Sequence, residues 1–170
     1  MRSGSPPLTD KVQQAEGEGR QLMAGDKTGP SPWARRLAYG GLIPFLGLTA
    51  ALWLARPGDR PFASVALLGY GATIVSFLGA IHWGLLMRPG AAQPLPALLW
   101  GVTPSLLGWV ALLSDPAQGF AVIAMLLWGC FAVDRILYPR YQMQAWLPMR
   151  LWLTLVASSS CLAAAVALLR

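Results

Sequence analysis

Two ionisable side chains near the ends of long apolar runs are the residues best placed to do chemistry. His82 is the only histidine of the chain and lies five residues before Met87, where one apolar run ends. Asp134 lies four residues before Tyr138, near the end of another such run. Ionisable groups at membrane depth are costly to bury and more often functional than decorative. An imidazole and a carboxylate at such positions predict a hydrogen-bonded pair that could take part in proton or ion movement.

The run that contains His82 is long enough to cross a bilayer. Residues 62–87 carry no charge, and about 20 apolar residues rising about 1.5 Å each span the hydrocarbon core. The whole chain is 55% hydrophobic and only 12% charged, roughly half the charge usual in a soluble domain. The sequence therefore predicts an all-α, polytopic integral membrane helical bundle with five transmembrane helices, at about residues 37–55, 62–87, 96–113, 120–138 and 151–169.

In a five-span chain the second and fourth helices run in the same direction. His82 and Asp134 would then lie roughly 6 to 8 Å inside the same membrane face. Aromatic and basic residues are expected at a similar depth, Trp152 among them. The predicted polar membrane site consists of His82, Asp134, Tyr39, Trp83, Trp100 and Arg150. The favoured interpretation is structural, because a His–Asp contact can join two helices, long side chains can snorkel, and tryptophans commonly form an interfacial belt.

Small residues recur at every fourth position of the second span, at Ala72, Ser76, Ala80 and Gly84. Small side chains let membrane helices approach closely, where packing and hydrogen bonds hold them together. This row is predicted to be a helix-packing seam inside the bundle, and the alternative is a contact with a partner chain. Pro104 in the third span, like Gly41 and Pro44 in the first, predicts a bend.

The N-terminal residues 1–33 are polar and rich in Pro and Gly, a composition typical of a disordered tail. Six arginines flank the spans on the N-terminal side and three on the other, which places the tail in the cytoplasm. The tail also carries four acidic residues, unlike an organellar transit peptide. A bacterial inner membrane is therefore the expected location.

Several chemistries find no support in the residues. One histidine cannot supply both axial ligands of a bis-histidine haem, and no His, Cys or carboxylate set has metal-ligand spacing. Cys130 and Cys161 lie in apolar runs, where a thiol behaves as a small hydrophobe. Basic residues are scattered singly, which argues against nucleic acid despite the net charge of +6. We predict no catalytic residue, metal or cofactor. We expect the protein to lie in a lipid bilayer and to contact its lipids.

Longer motifs in the spans resemble one family. They are Gly41–Phe45 (GLIPF), Tyr70–Gly84 (YGATIVSFLGAIHWG), Pro104–Trp109 (PSLLGW), Asp134, Tyr138–Pro139 and Arg150–Thr154 (RLWLT). Together they resemble the domain of unknown function 3429 family, whose members include transmembrane protein 69-like proteins, over about residues 37–169. The resemblance implies a small multi-spanning membrane protein and no established activity.

Three functions follow from these observations as hypotheses. The first is an accessory or assembly component that associates with a membrane-protein partner, or with its own copies, through the small-residue row. The second is a small transporter or proton-conducting protein that uses His82 and Asp134. The third, which has the least support, is an enzyme acting on a lipid or quinone in the layer of Tyr39, Trp83, Trp100 and Trp152.

Overall fold

The computed structural model describes residues 29–54, 56–90 and 92–170. These residues form five helices that are each long and apolar enough to cross a membrane, which confirms the predicted all-α membrane bundle. Every helix begins with a proline at its first or second position, where a missing N–H and a fixed φ cost nothing. The helices are α1 Pro32–Leu54, α2 Arg60–Leu86, α3 Leu95–Leu113, α4 Pro116–Leu137 and α5 Leu147–Leu168.

The helix ends differ from the predicted spans because hydropathy does not detect polar first turns. The predicted disordered tail, residues 1–33, lies outside the described residues over positions 1–28. Its last residues belong to the start of α1, where the Ser31 hydroxyl accepts a hydrogen bond of 3.2 Å from the Ala34 N–H. Two 3-10 turns, Tyr138–Tyr141 and Gln144–Trp146, join α4 to α5. Arg150 therefore lies inside the first turn of α5, whereas the predicted fifth span begins one residue after it.

Helix α1 is interrupted at Gly41, between the segments Pro32–Gly40 and Leu42–Leu54. Pro44 has no N–H to donate, so the helical ladder loses a bond close to this position. The Tyr70 hydroxyl of α2 donates a hydrogen bond of 2.8 Å to the Gly41 carbonyl. A side chain of a neighbouring helix thus bonds to the backbone at the interruption and fixes α2 against α1 there.

Helix α2 packs extensively against α1, α3 and α4. Helix α5 packs against α4 and α1, whereas α2 and α5 make at most marginal contact with each other. One hydrophobic cluster fills the centre, with Phe45, Leu67 and Ile123 fully buried. Many large apolar side chains on the outside of every helix are exposed, as expected where a bundle faces lipid tails.

The closest approach of α2 and α3 depends on glycine. A Cβ on Gly79 would collide with the Gly101 carbonyl and the Pro104 ring, so the two backbones can meet only without a side chain there. The predicted row of small residues lies partly on this side, because Ala72 contacts Gly108 of α3. Farther along the row, Ala80 and Gly84 are exposed on the surface of the described bundle.

A buried polar cluster at one end of the bundle

Three helices each bring one ionisable side chain to the same level of the bundle. His82 lies four residues before the end of α2, Asp134 three residues before the end of α4, and Arg150 three residues after the start of α5. At about 1.5 Å per residue, all three lie roughly 4 to 6 Å inside the helix ends on one face. Their exposed fractions are only 2%, 2% and 8%. We call these three residues the polar cluster.

The Asp134 carboxylate is the centre of the polar cluster. Its Oδ2 accepts a hydrogen bond of 2.8 Å from Arg150 Nε. Arg150 Nη2 is also 2.8 Å from the same oxygen, but its N–H groups are not aligned for a hydrogen bond to any described residue. A buried carboxylate without a partner is strongly destabilising, so the guanidinium compensates the charge that α4 carries into the bundle.

His82 completes the polar cluster at longer distances. Its Nε2 lies 3.6 Å from Asp134 Oδ1, beyond hydrogen-bond length, and its Nδ1 lies 3.4 Å from the Leu78 carbonyl. The imidazole therefore lies beside the second carboxylate oxygen without a short bond to it. This arrangement joins α2 to α4 at the same point where Arg150 joins α4 to α5.

Tyr138 belongs with these residues, although the sequence analysis places it at the end of a span and in a family motif and not in the predicted site. It lies one helical turn after Asp134, is 2% exposed, and has both Asp134 and Arg150 as neighbours. The i, i+4 spacing from Asp134 places both residues on one face of a helix, and this spacing is the signal that would have identified Tyr138.

The other residues of the predicted site lie apart from the polar cluster. Tyr39 is exposed on α1, and Trp152 is exposed on α5. Trp83 packs on Gly101 and donates a hydrogen bond of 3.0 Å from its indole N–H to the Leu98 carbonyl, so it joins α2 to α3. The Trp100 indole N–H is buried and has no hydrogen-bond partner among the described residues. The structure thus brings together His82, Asp134 and Arg150 and leaves the aromatic residues at separate positions.

The chemistry open to the polar cluster is that of a compensated ion pair with an adjacent imidazole. Among the described residues, no three His, Cys, Asp or Glu side chains are grouped closely enough to hold a metal ion. Cys130 lies one turn before Asp134 on α4 and is buried as a free thiol in the hydrophobic cluster. Side chains so enclosed favour a role in holding helices together over a reaction with a substrate from water.

The fold and this site define an all-helical integral membrane protein whose helices are joined at one end by a buried ion pair. The chain belongs to the family described as protein of unknown function (DUF3429), whose sequence profile matches residues 30–166. All three residues of the polar cluster lie within that range.

The chain is similar to transmembrane protein 69 of Xenopus tropicalis, with 35% identity over 137 residues. The matched region covers 77% of this chain and 52% of that relative, so this chain spans about half the length of the curated relative. No solved structure matches the chain.

Proposed function

We propose that this protein is a non-enzymatic accessory or assembly component of a larger membrane complex. The observation that carries the proposal is the exposure of Ala80 and Gly84 at the end of α2. A Cβ on Gly84 would meet no atom of the described residues within 4 Å. Small residues on an open helix face permit the backbone of another helix to approach, and such approach drives association inside a bilayer.

The polar cluster supports this proposal because its groups are engaged with one another. Asp134 is bonded to Arg150, and the three side chains are nearly inaccessible. These contacts hold three helices together at one end of the bundle. The outer faces of the helices stay available for contact with another protein.

The proposed setting is the inner membrane of a bacterium, crossed in multiple passes with the N-terminus in the cytoplasm. The support is the excess of arginines at the end of the bundle that holds the polar cluster. Single cysteines introduced at the loops would report this orientation through labelling by an impermeant maleimide, because both native cysteines are buried. Labelling of the α2–α3 loop from the periplasmic side would contradict it.

The test is affinity purification of the full chain from native membranes in mild detergent, followed by mass spectrometry. We expect a stoichiometric membrane partner with the natural chain and its loss in a Gly84→Leu variant. Gly47→Leu is the matched control, since a Cβ at Gly47 also meets no described atom within 4 Å. A monodisperse chain without a partner, or equal recovery of the partner with both variants, would refute the proposal.

A second candidate is a small transporter or proton-conducting protein, favoured by the 3.6 Å separation of His82 Nε2 and Asp134 Oδ1. Against it, the described core between the polar cluster and the opposite face is filled by apolar side chains such as Leu67, Val75 and Ile123. Proton flux in proteoliposomes distinguishes the candidates: a flux that His82→Ala abolishes would support conduction. An identical flux in the variant would remove the pair from any such mechanism.

A further inference from the structure

A cavity of about 510 Å³ lies between α1, α2 and α5, at the same end of the bundle as the polar cluster. It exists because α2 and α5 make at most marginal contact with each other. Its walls are mainly aliphatic and aromatic, and include Phe45, Phe77, Leu78, Ile81 and Leu153. The volume falls in the range of about 300 to 1,000 Å³ that is usual for small-molecule sites.

Polar groups line one part of this apolar cavity. Thr154 is 1% exposed, and its hydroxyl has no hydrogen-bond partner among the described residues. Arg150 also lines the cavity, and its Nη2 has no aligned acceptor there. Tyr138 is a further lining residue. A buried donor without an acceptor costs about 1 to 3 kcal/mol, so the Thr154 hydroxyl favours an occupant that supplies an acceptor, and the Arg150 guanidinium lies beside it as a second donor group.

The cavity is reached from the lipid phase. Leu37 and Phe77 line it and are 77% and 62% exposed on the outer surface of the bundle. Along α5 the lining runs from Met149 to Ala157, a distance of about 12 Å toward the middle of the bilayer. The Arg150 donors lie at the end of this stretch nearer the membrane face, and the Thr154 hydroxyl lies about one helical turn deeper. This is the orientation of a lipid, with a polar end near the surface and a chain directed inward.

We propose that this cavity binds a carbonyl-bearing lipid, whose carbonyl oxygen accepts hydrogen bonds from Thr154 and Arg150 and whose apolar chain lies against α1, α2 and α5. An uncharged acceptor is preferred to an anionic one because Asp134 already offsets the charge of the guanidinium. Two sources supply this chemistry in a membrane, a phospholipid acyl ester and an isoprenoid quinone. The proposal does not depend on a protein partner and goes beyond the accessory role.

Trp146 lines the cavity and makes binding measurable by fluorescence. The full chain in lipid nanodiscs is titrated in separate experiments with an alkylated 1,4-benzoquinone and with a phosphatidylcholine that carries a brominated acyl chain. Both probes quench tryptophan. We expect one probe to give a saturable component of quenching that is absent from a Trp146→Phe variant, and the effective probe identifies the source. Quenching that rises only in proportion to probe concentration, for both probes, would overturn the proposal.

Two pairs of variants test the assigned contacts. Thr154→Val keeps the side-chain shape and removes the donor, so it should weaken saturable binding about 3- to 10-fold, whereas Thr154→Ser should retain it. Ala38→Phe should fill the cavity and abolish saturable quenching, whereas Ala50→Phe, on an exposed position of the same helix, should not. Unchanged affinity in both Thr154→Val and Ala38→Phe would overturn the proposal even if saturable quenching occurs.

Discussion

Replacing Arg150 by Met tests how far the buried ion pair holds the bundle together. Methionine keeps much of the apolar length of arginine but removes the guanidinium, both of whose contacting nitrogens lie 2.8 Å from Asp134 Oδ2. The variant leaves a carboxylate that is 2% exposed, with His82 as its remaining charged or polar neighbour across helices at 3.6 Å. The perturbation therefore isolates the compensation of one buried charge.

The expected cost is large because the partner that remains is almost completely buried. Removing one member of a buried pair costs about 3 to 5 kcal/mol, whereas replacing both by apolar residues is often neutral or stabilising. We expect Arg150→Met to lose about 3 kcal/mol, at the lower end because His82 stays near the carboxylate. The double variant Asp134→Leu with Arg150→Met should lie within about 1 kcal/mol of the natural chain.

The native thiols provide the assay, because Cys130 and Cys161 are buried at 1% and 0% exposure. A maleimide dye that fluoresces on coupling reports their exposure as SDS is titrated into dodecylmaltoside micelles, which gives a free energy of unfolding. Arg135→Met is the control, an exposed arginine next to Asp134. The reasoning is refuted if Arg150→Met lowers the free energy of unfolding by less than about 1 kcal/mol, which is the range of surface pairs. It is also refuted if the losses of the two single variants simply add in the double variant.

Two further changes test contacts between helices by the same assay. Gly79→Ala forces a methyl group onto the Gly101 carbonyl and the Pro104 ring, so it should destabilise by about 1 to 3 kcal/mol; Gly47→Ala, at an open position, should not. Tyr70→Phe removes the hydrogen bond to the Gly41 carbonyl and should cost about 0.5 to 1.5 kcal/mol. An unchanged free energy of unfolding in Gly79→Ala would mean that α2 and α3 lie farther apart. An unchanged value in Tyr70→Phe would mean that another donor satisfies the Gly41 carbonyl.

The five spans could be predicted from the sequence because apolar length is a direct consequence of bilayer thickness. The interruption of α1 could be predicted too, since Gly41 and Pro44 act on the backbone itself. The depth of His82 and Asp134 followed from counting residues to the span ends. These are all properties of one helix at a time, and composition determines them without reference to a neighbour.

The rotation of each helix about its axis could not be predicted in the same way. A helix that is apolar on every side gives no preferred inward face, so the row ending at Ala80 and Gly84 was indistinguishable from the Gly79 face that packs on α3. Arg150 was predicted at the edge of a span because hydropathy ends there, although α5 begins three residues before it, at Leu147. Tyr138 was left out of the predicted site because it too lies where the apolar run ends.

The polar cluster fixes the rotation of three helices about their own axes, which their apolar surfaces leave undetermined. Asp134 meets Arg150 and His82 only if α4 turns this side chain inward and both α5 and α2 turn theirs toward it, so one carboxylate aligns three helices. The same contacts hold α2 and α5 on either side of α4, and the cavity lies between them. Arg150 belongs to both features, because it is bonded to Asp134 and lines the cavity. Thr154→Val and Ala38→Phe therefore test lipid binding without changing the ion pair, and Asp134 variants are expected to disturb both.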